Sequence, residues 1–184
     1  ELFIETSPTD FKVLLNILQQ RSVSMVNANE HGKGARSKES PAIRNPERTE
    51  EVVKGKKILF IGPSKRLTEE DPSASFDSSI RIGYSGEDSL ASMKDIAPDI
   101  SFYRPHKLAA LQRRGSLDIL SSLKLAYLGS AGAIPKIPHS LIKHVHLSPF
   151  RGRVLNGDEP NAGTEALLCL LGDGAAHVHI TNLD

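Results

Sequence analysis

The sequence predicts an α/β domain: a Rossmann-like, mostly parallel sheet with helices on both faces, carrying an N-terminal helical appendage. Three observations lead there. Short, largely apolar runs recur at 58–61, 100–103 and 125–128, the pattern of strands buried on both faces. Stretches of helical spacing alternate with them, which is how a parallel sheet is wound. Gly-, Pro- and Ser-containing turns, such as Gly62-Pro63-Ser64 and Gly115-Ser116, separate the two kinds of segment.

Ser7-Pro8-Thr9-Asp10 reads as a helix start, with Ser7 as cap, and Phe11, Leu14, Leu15 and Leu18 then recur at helical spacing. Residues 1–26 are therefore expected to form the N-terminal helix. Between 30 and 51, five basic and five acidic residues alternate without period among Gly32, Gly34, Pro41 and Pro46. Residues 27–52 accordingly read as a flexible linker, and 53–184 as the Rossmann-like domain. Within that domain strands are expected at Ile58–Ile61, Ser78–Gly83, Ile100–Tyr103, Leu125–Leu128 and His177–Thr181. Helices are expected at 89–96, at 106–123 with a break at Gly115-Ser116, and at Gly163–Leu171; 131–156 reads as loop-rich. Ligands of such a sheet bind outside the carboxyl ends of the strands, so the loops after 61, 82, 103 and 128 and the helix start near 162 are the places to look. The chain stops three residues after its last strand, so one loop in that position is expected to be missing.

Composition narrows the classes. The 184 residues suffice for one domain with a real core, and 39% belong to the AVILMFWYC set. One cysteine excludes a disulfide framework and a cysteine-based zinc site. No apolar run approaches the ~20 residues of a membrane span, and no secretory signal opens the sequence. The net charge of +1 hides an asymmetry. Residues 101–155 hold nine Lys or Arg and one acid, Asp118, a local charge of +8, while the remainder carries −7. That points to an anionic ligand or partner for the middle of the chain, against the plain alternative of a solvated basic face. Phe102, Tyr103 and Tyr127 are too few for a stacking platform, so nucleic acid is not the expected partner.

Candidate site residues follow from local chemistry. Gly62-Pro63-Ser64 ends a strand where backbone could approach a phosphate, although neither a G-x-G-x-x-G nor a P-loop lysine pattern is present. Asn161-Ala162-Gly163-Thr164 opens a helix with small residues, whose free N–H groups and dipole favour an anion. Asp158 and Glu159, just upstream, are candidate carboxylates for general-base or nucleophilic work, and His106 is a candidate acid/base. His144/His146 and His177/His179 form two His-x-His pairs, but no further ligand stands at a recognisable spacing, so half-buried strand histidines are expected and no metal site is assigned. Cys169 lies in an apolar helix and reads as core. No G-x-S-x-G elbow is present.

Three blocks carry a family resemblance: KKILFIGPSKRL (56–67) with FDSSIRIG (76–83) downstream, DISFYRP (99–105), and NAGTEALLCLLGDGAAHVHITNLD (161–184). Together they resemble the sialyltransferases, most closely the bacterial glycosyltransferase family 42 type, over 56–184 discontinuously. The resemblance implies a CMP-linked acidic-sugar donor (sialic acid, or the related Kdo), a glycan acceptor, and no cofactor or obligatory metal, since the leaving group carries one phosphate. It implies that Gly62, Pro63 and Ser64 face the nucleotide, and that Ala162, Gly163 and Thr164 receive the phosphate on backbone N–H groups. Gly83 and Arg104 stand where the family has donor-contacting asparagines, and Ile61 replaces a third. Arg104 could compensate by pairing with phosphate or carboxylate. The family's catalytic His and phosphate-binding tyrosines would follow the position matched by Asp184. From a different class, the basic middle also fits a non-catalytic Rossmann-like module that binds an anionic partner.

Overall fold

The computed structural model describes residues 3–4, 43, 45–62, 75–86, 97–129, 132–150 and 160–181. Seven strands make one sheet: β1 (Phe3–Ile4), β2 (Lys57–Ile61), β3 (Ser78–Ile82), β4 (Ile100–Tyr103), β5 (Leu125–Leu128), β6 (Val145–Leu147) and β7 (His177–Thr181). Their order is β1-β7-β2-β3-β4-β5-β6. The six strands from β7 to β6 are parallel, and β1 pairs antiparallel with the edge of β7. The helices are α1 (Pro46–Val52), α2 (Pro105–Arg113), the single turn α3 (His139–Ile142) and α4 (Ala162–Gly172), with a 3-10 helix at Leu117–Ser122. Among the described residues no helix is long and apolar enough to cross a membrane.

The strand order dictates which helix covers which face. From β2 to β6 the chain steps across the sheet in one direction; from β6 to β7 it returns over four strands through α4. Right-handed crossovers running in opposite directions place their helices on opposite faces. The core shows that division. Ile58, Phe60, Ile80, Ile100, Phe102, Leu125, Tyr127 and Val178 cluster with Ala166, Leu168, Cys169 and Leu170 of α4. Tyr103, Ala126, Leu128, Val145 and Leu147 cluster with Leu108 and Leu111 of α2 and with Leu120 and Leu123. Alternate residues of one strand thus enter alternate clusters, as the period of two requires. A Rossmann-like α/β sheet with helices on both faces is the fold.

The segment 46–52 corrects the linker expected over 27–52. Asn45 caps α1, its Oδ1 accepting from Arg48 N at 3.2 Å, and Pro46 stands in the first turn. Asn45 N donates to His146 Nδ1 at 3.0 Å and its side-chain amide to Lys143 O at 2.6 Å, tying the cap to the start of β6. Thr49, Val52 and Val53 are buried. The Asn45 cap and α1 are thus part of the packed domain. Composition misleads here because a seven-residue helix needs only one narrow apolar edge, and its charges stay outside. β1 adds the start of the chain to the sheet; the helix expected from Ser7 lies outside the described residues, as does the one expected at 89–96. The stretch read as loop-rich contains α3 and β6, since three buried residues, Val145, His146 and Leu147, suffice for an edge strand against β5.

Candidate functional site

The carboxyl ends of β3, β4 and β5 meet the first turn of α4. The turn is built by Asn161, extended at φ −62° and ψ 162°, whose Oδ1 accepts from Thr164 N at 2.8 Å and whose carbonyl accepts from Glu165 N at 3.0 Å. The bond from Glu165 is the first of the helix itself, and the Asn161 side chain takes one of the four N–H groups that a helix start leaves open, that of Thr164. Those of Ala162 and Gly163 have no acceptor among the described residues. The expectation for 162–164 is corrected to this extent: the cap takes Thr164 N–H, and the N–H groups left open are those of Ala162 and Gly163.

Arg104 directly follows β4 and reaches this turn. Its Nη2 donates to Pro160 O at 2.8 Å, while its Nε is buried with no hydrogen-bond partner among the described residues. A guanidinium and two open N–H groups at the positive end of a helix dipole form an electropositive corner suited to an oxyanion. Ile82, the last residue of β3, lies beneath: a Cβ added at Gly163 would meet its Cδ1 at 3.7 Å. Ile82 is 38% exposed, the one large hydrophobic among the described residues that is, so an apolar surface adjoins the polar corner. Gly83 follows at φ +65°, a conformation that glycine adopts freely, and donates to Phe102 O at 2.8 Å.

Two residues that sequence reading passed over complete the corner. Glu165 in the first turn of α4 is 1% exposed. A Cβ on Gly129, just past β5, would stand 2.6 Å from Glu165 Oε1 and 2.0 Å from Phe102 Cζ, so only glycine fits between them. Gly129 thereby lets the first turn of α4 pack closely over the end of β5. The signal for Glu165 was an acid within the otherwise apolar run 165–171, weaker than the loop acids Asp158 and Glu159.

The other candidates fall as follows. Gly62 is buried at the end of β2, and Pro63, Ser64, Asp158 and Glu159 lie outside the described residues. His106 is exposed in the first turn of α2, on the same edge of the sheet as Arg104. The His-x-His pairs serve the fold. His144 Nδ1 lies 3.0 Å from Leu123 O, His146 holds Asn45 and meets Tyr127 edge-on, and His177 and His179 face the Phe76 ring. Among the described residues no three His, Cys, Asp or Glu come together as a metal-ligating group. Cys169 is fully buried with its thiol 3.2 Å from Ser148 Oγ, and burial pushes its pKa far up, which suits packing and not reactivity. At the far end of α4, Tyr127 donates its hydroxyl to Asp173, whose pKa burial raises above the usual carboxylate value.

No family model, curated protein or solved structure matches the chain.

Proposed function

We propose that this chain is the donor-binding domain of a glycosyltransferase that transfers an acidic sugar, sialic acid or Kdo, from a CMP-linked donor to a glycan acceptor. The observation that carries the reading is the corner made by Arg104 and the open N–H groups of Ala162 and Gly163, at the carboxyl ends of parallel strands. One cation and two N–H donors match one phosphate. As the bond to the sugar breaks, charge grows on the departing CMP phosphate, and donors already aimed at it stabilise the transition state more than the ground state. The exposed Ile82 beside the corner offers a surface for the base or ribose. Support also comes from sequence: the blocks FDSSIRIG, DISFYRP and NAGTEALL, on which the sialyltransferase resemblance rests, supply the residues of this corner. His106, exposed on the same edge, is the candidate to take the proton of the acceptor hydroxyl.

Titration calorimetry with CMP and with CMP-sialic acid tests the reading. Both are expected to bind, and Arg104→Ala to weaken both by about tenfold or more, the worth of a charge-assisted hydrogen bond. Absence of heat with either ligand sinks it. The exposure of Lys107, Arg113, Arg114, Lys136 and Lys143 favours a second reading, a module that binds a polyanionic partner. That reading requires steeply salt-dependent binding that CMP does not compete.

A further inference from the structure

β3 carries a second arginine that the α4 corner does not use. Arg81 pairs in register with Ile61 of β2 and Ser101 of β4 and is only 7% exposed. Its neighbour Ile80 packs under α4, so Arg81 projects from the opposite face of the sheet, the face that α2 covers. Its Nε and Nη2 are buried and have no hydrogen-bond partner among the described residues. Some polar groups near that strand end are already engaged: Tyr84 N donates to Ser101 Oγ at 3.2 Å, and Tyr103 Oη donates to Tyr84 O at 2.7 Å. Burial lowers the guanidinium's pKa, but from so high a value that the group keeps its charge. A strand interior that buries a cation without a counter-charge sacrifices stability, and such a group calls for an explanation.

The geometry of the unpartnered atoms supplies one. Nε and Nη2 form one edge of the planar guanidinium and present two parallel N–H donors, spaced for the two oxygens of a carboxylate or phosphate. Arg81 stands one residue before the carboxyl end of β3, at the end of the sheet where ligands bind. Arg104 and the α4 start occupy the other face at the same end, one strand over. Two cationic groups on adjacent strands and opposite faces suit a ligand with two separate anionic groups. The helix start, with its dipole and open N–H groups, suits the phosphate. The fork-shaped edge of Arg81 suits a carboxylate.

We propose that the Nε/Nη2 edge of Arg81 is the receptor for the carboxylate of the acidic sugar, and so selects acidic-sugar nucleotides over neutral ones. A donor with a neutral sugar would leave the buried cation unpaired, which is how a site rejects a ligand that lacks the matching group. The assignment to a sugar carboxylate rests on the CMP-donor reading; the oxyanion site at Arg81 does not.

The test uses the full chain, with calorimetry on wild type, Arg81→Met and Arg81→Lys, and with 15N-edited spectra of the Arg81 Nε–H group. CMP-sialic acid is expected to bind wild type more tightly than CMP. Arg81→Met is expected to weaken CMP-sialic acid at least tenfold and to change CMP less than twofold, with Arg81→Lys between. In wild type, which needs no variant to fold, CMP-sialic acid shifts the Arg81 Nε–H resonance and CMP does not. Equal affinity of wild type and Arg81→Met for CMP-sialic acid overturns the proposal, as does an unmoved resonance under saturating CMP-sialic acid. An equal loss of CMP binding in Arg81→Met assigns Arg81 to the phosphate and overturns the carboxylate role. If neither CMP ligand binds but free sialic acid or inorganic phosphate shifts the resonance, the donor reading fails and the oxyanion site stands.

Discussion

β5 and β3 hold equivalent places as interior strands of the same parallel sheet, yet they are filled by opposite kinds of residue. Leu125, Ala126, Tyr127 and Leu128 of β5 are all buried, and the one polar atom among their side chains, the Tyr127 hydroxyl, is bonded to Asp173. β3 buries Ser78, Ser79 and Arg81, leaves two Arg81 nitrogens without partners among the described residues, and exposes Ile82 at its end. A strand covered on both faces is stablest when apolar and fully satisfied, and β5 meets that condition. β3 departs from it next to the carboxyl edge, where a ligand can supply what the fold leaves unpaired. The difference separates a strand that holds the sheet together from one that, under the proposal above, gives up stability to hold an anion.

That contrast can be broken by substitution. The largest effect belongs to β5: Leu125→Ala, at a fully buried position, is expected to cost about 3 kcal/mol in urea unfolding. A loss below about 1 kcal/mol would mean that β5 is not a packing strand. Next comes the pH dependence at the far end of α4. Burial raises the Asp173 carboxyl above its ordinary value of 3.8, opposed in part by the Tyr127 hydrogen bond. Between 3.8 and the raised value, the folded chain keeps a proton that the unfolded chain has lost. This stabilising contribution is complete below the unfolded value and is lost as pH rises through the folded one. Asp173→Asn keeps an acceptor for Tyr127 and removes the titration, so urea midpoints taken across that window should lose this falling component in the variant. An unchanged pH profile would show that Asp173 titrates normally. The smallest effect on stability is expected in β3. Arg81→Met replaces a buried, unpaired charge by an apolar chain of similar length, so the unliganded protein should stay within about 1 kcal/mol of wild type or gain. A loss comparable to that of Leu125→Ala would make Arg81 a structural residue and erase the contrast.

The strands were legible because burial on both faces demands runs that almost any reading of the sequence detects; β2, β4, β5 and β7 fall where their residues place them. α1 and β6 were not, because seven and three residues are too short to establish a period, and their burial depends on what they pack against. In the candidate site, Gly83 and Arg104 stand out as residues that follow strands, and Ala162 and Gly163 as small residues that open a helix. Glu165, Gly129 and Arg81 carry no such mark. An acid in an apolar helix, a glycine in a loop and an arginine in a strand are each unremarkable in sequence.

By itself the sequence determined the alternation of strand and helix, the cap at Asn161 and the concentration of positive charge between 101 and 155, because these depend on neighbours in the chain. The tertiary structure decided the strand order, the return of α4 across the sheet, and hence the meeting of Pro160 with Arg104 and of Glu165 with Gly129, across 56 and 36 residues. It also decided that Arg81 is buried with its Nε and Nη2 unpartnered among the described residues. Burial and pairing belong to the packed arrangement of several elements at once, and no segment read alone contains them.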